Sequence, residues 1–398
     1  MKRAKVIALT LAFTFVLLAF TAQPVSAATR LETLRSYMNS RYDSVRGGYS
    51  IPGEGIVRIN PTYGAITIMN EVGTLDNRPP PVALTDVMDF MVTHQWTEGE
   101  EDEPRFGGFM DYLLGPVENG INYRGLVTWE LLMEQSDIPG SEDYQINATA
   151  DLLWINKTAD VSGGYGFETG AAPDMLSTAY ALMSLRIIDT MYPEENAWDW
   201  FLNESATVAW IESCKDGVGY KLNPDADRVG VTATAAAVLA YNALYPVTPV
   251  PDTANIQAWL LARQILDYEV PELIGGFEEG EGTESPNLES TYFALRALEV
   301  FSTTDTVNAT AAVSFVLNCQ TAEGSFANVP GFSTGSLLYS GYACEIFGMP
   351  GFDGAHSILS SSVDPNSPGV TGFEWRTFVI VGIVIVALVL AVIAVRLD

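Results

Sequence analysis

Carboxylates supply most of the chemistry this chain offers. Glu54, Asp111, Glu168, Asp174, Asp225, Asp227, Glu278, Glu279, Glu281, Glu284 and Glu289 fall in short stretches that follow glycine-aromatic pairs. Two carboxyl groups at the right separation hydrolyse a glycoside, one as acid and the other as base or nucleophile. Asp174, Asp225, Asp227 and Glu289 are the candidate catalytic residues. Carboxylates with nearby backbone carbonyls also have the donor chemistry for Ca²⁺, although no EF-hand spacing occurs. The competing reading is a solvated acidic surface, as for the Glu98–Glu103 run EGEEDE.

A second set of residues is aromatic. Tyr63, Trp129, Tyr180, Tyr292 and Tyr339 stand in apolar runs, several near their starts, and Tyr241 stands in another. The first five are the candidate ligand-binding residues, lining a cavity for a lipid, sugar or cofactor. The alternative is that they pack the centre of the fold. The cysteines Cys214, Cys319 and Cys344 leave at least one thiol unpaired, so this is no disulfide scaffold. Cys344 lies about ten residues into a helix, ~15 Å along its axis, so free buried thiols are expected.

The elements that must position these residues come in six copies. An aromatic-aliphatic pair recurs as Tyr37-Met38, Phe90-Met91, Trp154-Ile155, Trp210-Ile211, Trp259-Leu260 and Phe315-Val316, spaced 53, 64, 56, 49 and 56 residues apart. After three variable positions come Tyr42, Gln95, Ala159, Lys215, Gln264 and Gln320. A loop then leads to Gly48-Tyr49, Gly108-Phe109, Gly164-Tyr165, Gly219-Tyr220, Gly276-Phe277 and, with Ser325 between, Gly324 and Phe326. Each copy continues into a run rich in Ala, Leu and Met, as in PDMLSTAYAL (173–182) and PNLESTYFAL (286–295). Such runs are apolar nearly all round and read as buried helices, whereas the segments before the glycines are amphipathic. Asp252 and Asp305 suit N-cap positions. Glycine permits the positive φ at which an outer helix stops.

Repeats bury their faces only against neighbours, and no polar capping helix is evident at either end. The expected fold is therefore all-α, a closed α6/α6 toroid of six helix pairs over ~30–350, with an open solenoid as the runner-up.

The pattern Phe315-Val316-x3-Gln320-x3-Gly324-x-Phe326 resembles the repeat of the prenyltransferase and squalene/terpenoid cyclase α/α-toroid superfamily, called the QW motif in the cyclases. Phe or Tyr in place of the closing Trp is similar to the protein prenyltransferase β-subunit branch. The resemblance covers about 320 residues and implies architecture more than chemistry. In the prenyltransferases an Asp, a Cys and a His hold a catalytic zinc. The matching positions here are Glu289, Thr291 and Leu338, and no histidine stands between His94 and His356. The resemblance therefore implies no zinc-dependent prenyl transfer and no metal. The cyclases' Asp-x-Asp-Asp acid has its nearest match in Asp225-Ala226-Asp227-Arg228, whose last position is a cation. The thioester proteins' Cys-Gly-Glu-Gln is absent.

The chain ends set location. Residues 1–27 read as a secretory signal peptide, with basic Lys2, Arg3 and Lys5 before an apolar run. An uncleaved N-terminal anchor is the other reading. Residues 377–395 carry no charge and would span ~30 Å of hydrocarbon as a helix. Residues 351–376, rich in Ser, Pro and Gly, read as a flexible stalk, and 396–398 as a cytoplasmic tail. The expected protein is single-pass, held in the cell membrane, with its toroid outside. Asn147, Asn156, Asn203 and Asn308 begin sequons for N-glycosylation. Net charge is −29, or −32 without the three basic residues of the signal, which argues against nucleic acid as a partner. The expected function is a ligand-binding or interaction module for a small molecule, glycan or surface protein. Alternatives are an extracellular enzyme on the same barrel, carbohydrate-active or prenyltransferase- or cyclase-like, and a structural envelope component.

Overall fold

The computed structural model describes residues 27–75, 82–135, 138, 140–201 and 203–366. The expected signal peptide (but for Ala27), membrane span and tail lie outside the described residues. Among the described residues, no helix is long and apolar enough to cross a membrane. The chain divides into two units, Leu34–Ile358 and the two ends. In the second, Thr29 bridges Val363 antiparallel, and the Asp364 amide donates to the Ala28 carbonyl at 3.0 Å.

Helices alternate between two layers. The outer ones are α1 (Arg30–Arg41), α3 (Leu84–His94), α5 (Ala148–Lys157), α7 (Glu204–Ser213), α9 (Thr253–Leu261) and α11 (Ala309–Asn318). The inner ones are α2 (Ile59–Glu71), α4 (Asn119–Met133), α6 (Met175–Met191), α8 (Val231–Leu244), α10 (Leu288–Val300) and α12 (Leu337–Gly348). Inner helices pack on one another in sequence order, and α12 packs on α2. That last contact depends on Gly64, where a Cβ would collide with the Leu337 carbonyl. The result is the helical α/α toroid expected from the periodicity.

The repeated motif interlocks consecutive units. In each, the residue that follows the pair after three variable positions bridges antiparallel to the aromatic after the glycines: Tyr42 to Tyr49, Gln95 to Phe109, Ala159 to Tyr165, Lys215 to Tyr220, Gln264 to Phe277 and Gln320 to Phe326. These short ladders are additions to the expected all-helical plan. Gly107 and Gly275 both take φ near +104°, and a Cβ on either would strike the carbonyl of Ala150 or Ala311 in the next outer helix. The glycine after each lies against an aromatic of that helix, Gly108 on Trp154 and Gly276 on Phe315. The aromatic of one unit is thus seated on the glycine of the unit before it.

A second bond closes each helix pair. The amides of Tyr49, Phe109, Tyr165, Tyr220, Phe277 and Phe326 donate at 2.9–3.0 Å to Thr62 Oγ1, Asn122 Oδ1, Thr178 Oγ1, Thr234 Oγ1, Thr291 Oγ1 and Ser340 Oγ. Side chains inside the inner helices, five hydroxyls and the Asn122 amide, satisfy an otherwise buried N–H in every unit.

The two N-cap expectations divide. Asp305 lies in a 3-10 turn, and Asn308 caps α11, its Oδ1 accepting from the Ala311 amide at 3.1 Å. Asp252 occupies the N-cap position of α9 but makes no capping bond; it pairs with Lys215 at 3.3 Å. Residues Ala355–Ser361 form a helix, α13, so the segment read as a flexible stalk from 351 begins with regular structure. Cys214, Cys319 and Cys344 are buried and unpaired.

Candidate functional site

The inner helices point their first turns to one rim and their last turns to the other. Between these ends, the centre is filled. Arg124 of α4 donates to Asn60 Oδ1 at 3.0 Å, Tyr180 Oη at 3.2 Å and Tyr342 Oη at 3.0 Å. Tyr63 and Tyr292 donate to the two oxygens of Glu345 at 2.6 and 2.8 Å, and Tyr292 stacks on Tyr342 with centroids 4.1 Å apart. Only ~10 Å³ remains open among these rings. A buried cation is held by neutral phenols and an amide, and a carboxylate by two phenols, so each charge is hydrogen-bonded.

The aromatic candidates divide accordingly. Tyr63, Tyr180 and Tyr292 meet at the centre, and half-buried Tyr339 lies against Tyr342 near the rim. Trp129 faces away, fully buried, with Nε1 donating to Tyr192 Oη at 2.8 Å. Tyr241 likewise turns outward, to Glu212 of α7. Arg124 and Glu345 were missed by sequence reasoning. The available signal was a charged residue inside a run otherwise apolar, which demands a partner.

At the rim of helix N-termini, α6, α8 and α10 border a cavity of ~510 Å³. Leu176, Leu222, Val229 and Ala233 give it apolar walls; Glu279, Glu289, Asn287 and Arg228 give it polar ones. Glu289, in the first turn of α10, is the one sequence-predicted catalytic candidate found there. Its backbone amide is taken by Asn328 Oδ1 at 3.0 Å, but among the described residues its carboxylate has no hydrogen-bond or ion-pair partner. Burial pushes its pKa above the usual carboxylate range, and Arg124 opposes this.

Most other rim carboxylates are structural. Glu279 accepts from the Thr232 hydroxyl at 2.5 Å and the Thr232 amide at 3.2 Å, capping α8 from the neighbouring unit. Burial raises its pKa, the Thr232 bonds counter this, and Glu289 adds to the rise. Asp111 does the same for α2, accepting from the Asn60 amide at 3.4 Å and pairing with Arg58 at 2.8 Å. Asp174 caps its own helix α6, accepting from the Ser177 amide at 2.9 Å and hydroxyl at 2.6 Å. Glu278 is buried against Arg263 at 3.1 Å. Asp225 and Asp227 stand exposed on the loop before α8, apart from the cavity lining.

The positions that match the prenyltransferase zinc ligands do not suit a metal. Thr291 Oγ1 accepts from the Phe277 amide and donates to the Asn287 carbonyl, and Leu338 offers no donor. One carboxylate, Glu289, remains, against the three or more ligands zinc requires. Of the sequon asparagines, Asn147, Asn203 and Asn308 are helix N-caps. Asn156 sits in the last turn of α5 with Oδ1 buried and unbonded.

A family model described as the prenyltransferase alpha-alpha toroid domain matches residues 126–221 and 202–347. No curated protein matches the chain. Among solved structures, a Candida albicans protein geranylgeranyltransferase-I complexed with GGPP is similar at 13% identity and TM-score 0.58, over 77% of this chain and 92% of that one. A family 76 glycoside hydrolase from a bovine Bacteroides thetaiotaomicron strain is similar at 11% identity and TM-score 0.55, over 81% and 77%. A GH76 alpha-mannanase from Bacteroides thetaiotaomicron follows at 12% identity and TM-score 0.52, over 79% and 94%. At these identities the likeness is one of fold alone.

Proposed function

Because the chain belongs to the prenyltransferase alpha-alpha toroid family, we propose that it uses this scaffold as a ligand-binding module rather than as a zinc-dependent prenyltransferase. One observation carries the reading: the centre is filled, and the open volume lies at the rim beside the unpartnered carboxylate of Glu289. Glu289 accepts hydrogen bonds from ligand hydroxyl or amine groups, and Leu176, Leu222 and Val229 cover the ligand's apolar face. A glycan or other polyhydroxylated small molecule has both features. The ring is proposed to be closed by six helix pairs, which the packing of α12 on α2 supports. The apolar segments 6–22 and 377–395 support secretion and a single-pass anchor, with the toroid outside the cell and Asn147, Asn156, Asn203 and Asn308 as glycan acceptors.

The test is native purification of the full chain in detergent, followed by mass spectrometry of whatever small molecule accompanies it. A stoichiometric ligand that is absent from the Glu289→Gln variant is expected. A ligand retained at full occupancy by that variant would sink the assignment of the site.

An enzymatic reading has its own observation. Glu279 and Glu289 line one cavity, and burial raises both carboxyls. A protonated Glu289 as general acid and Glu279 as base, freed from Thr232, would be the two groups glycoside hydrolysis needs. The likeness to the GH76 alpha-mannanase makes α-mannan the first polymer to try. Release of reducing sugar by the wild type, absent in Glu289→Gln, would replace the binding reading with this one.

A further inference from the structure

The opposite mouth of the ring holds a second cavity, ~210 Å³, that the reading above does not use. Three inner helices present stripes to it. From α2 come Tyr63, Thr67 and Glu71, each four residues on from the last and so on one helix face. From α4 come Tyr123, Val127 and Leu131, at the same spacing, and from α10 come Arg296 and Glu299. The last turn of α12 adds Glu345 and Gly348. On α10, Glu299 is ten residues beyond Glu289, ~15 Å along the axis, so the two cavities are distinct.

Charge in this mouth is unbalanced. Glu299 is matched by Arg296 at 3.0 Å, and Glu345 accepts only from the phenols of Tyr63 and Tyr292. Glu71 has the Asn70 amide at 3.5 Å and, among the described residues, no ion-pair partner. The helices end here, so their carbonyl ends add further negative potential. A second observation is independent of the acids. Thr67 is 3% exposed, and among the described residues its Oγ1 has no hydrogen-bond partner, even though the residue lines an open cavity. A buried hydroxyl left unbonded is costly unless something else occupies the space beside it.

We propose that this mouth binds a small organic ammonium ion, whose N–H groups donate to Glu71, Glu345 and Thr67 Oγ1 while its carbon chain lies against Tyr63 and Tyr123. An ammonium supplies the missing positive charge and the missing donor at once, and the phenol rings favour a cation at their faces. A hydrated metal ion fits less well, since Leu131, Val127 and the rings occupy the rest of the wall. The empty mouth leaves Glu71 short of a cation: burial first, and Glu345 second, push its pKa up to about 7. Arg296 opposes this and Glu299 adds to it, and Tyr63 and Tyr123 are neutral at that pH. Binding of a cation therefore ionises Glu71 and releases a fraction of a proton near pH 7.

The experiment is calorimetric titration of putrescine into the full-length protein at pH 7, in two buffers of different ionisation enthalpy. One saturable site per chain with proton release is expected. Glu71→Gln weakens it tenfold or more and abolishes the proton release. Thr67→Val, which keeps shape and removes the acceptor, weakens it severalfold and stands as the test if Glu71→Gln does not fold. Glu98→Gln with Glu101→Gln, on the remote acidic loop, leaves affinity unchanged. Heat that never saturates overturns the proposal. So does affinity that falls with the loop substitutions and is indifferent to Glu71→Gln.

Discussion

Gln95 and Asn147 exchange two hydrogen bonds across the boundary between consecutive units: Gln95 Nε2 donates to the Asn147 carbonyl at 2.9 Å, and Gln95 Oε1 accepts from the Asn147 amide at 2.7 Å. The same Nε2 donates to the Gly107 carbonyl at 3.0 Å. Gln264 repeats all three contacts with Gly275 and Asn308. Where the repeat carries other residues, the tie is improvised. Tyr42 Oη accepts from the Ala83 amide, and Lys215 pairs with Asp252. The glutamine is thus a clamp on the start of the next outer helix. Gln95→Ala removes three bonds and strands buried backbone groups, so a loss of about 2–4 kcal/mol is expected. Urea denaturation would show it as a lower midpoint at unchanged slope. A loss under ~0.5 kcal/mol would mean that water replaces the clamp.

The hydroxyl bond inside each pair makes a sharper case, because it can be deleted without changing shape. Thr178→Val keeps the volume of the side chain but orphans the Tyr165 amide, which is buried. Destabilisation of about 1–3 kcal/mol is expected, and Thr178→Ser should restore most of it. Equal stability of the Val and Ser variants in thermal melts would remove the hydroxyl from the list of necessary features.

The architecture was legible because its markers are residue types that geometry enforces. Gly107 and Gly275 cannot carry a Cβ, and Trp154 and Phe315 fill the space beside Gly108 and Gly276, so the markers recur along the chain. The hydroxyl position was less visible, since Thr62, Asn122 and Ser340 do one job with three side chains and sit in apolar runs that tolerate any of them. Side-chain direction was beyond sequence. Trp129 and Tyr241 share helices with residues facing the centre but bond away from it, to Tyr192 at the end of α6 and to Glu212 of α7, and only the rotation of each helix about its axis decides this. Most rim carboxylates proved to be caps and ion-pair partners, because a helix N-terminus attracts an acid for the same electrostatic reason that an active site does. Glu289 stands apart since Asn328 already serves the amide it would otherwise neighbour.

Arg124 governs that carboxylate from below. Its positive charge opposes the rise that burial imposes on Glu289. Arg124→Met keeps the bulk and removes the charge, so the Glu289 pKa should rise further. The pH at which Glu289 becomes available as an acceptor then moves up, and the pH midpoint of ligand binding moves up with it. A pH series of ligand binding on wild type and Arg124→Met tests this: coincident midpoints would show that the two groups are not coupled.

Asp151 offers a pH dependence that is independent of any ligand. It is fully buried in α5, with Oδ1 accepting from Asn122 Nδ2 at 2.7 Å and Oδ2 unbonded. Burial raises its pKa to about 8, against the partial relief of the Asn122 bond. The unfolded chain would lose this proton near pH 4. The folded state therefore binds a proton that the unfolded state has given up, and the stability tied to it is full below pH ~4 and is lost progressively as pH rises through about 8. Between pH 5 and 7.5 this one group should contribute a fall of up to ~1.4 kcal/mol per pH unit. Asp151→Asn supplies a neutral isostere that cannot ionise, so its stability relative to the wild type should rise steadily from pH 5 to pH 8. Urea midpoints of both proteins across that range decide the matter, and parallel curves would mean that Asp151 is ionised in the folded state.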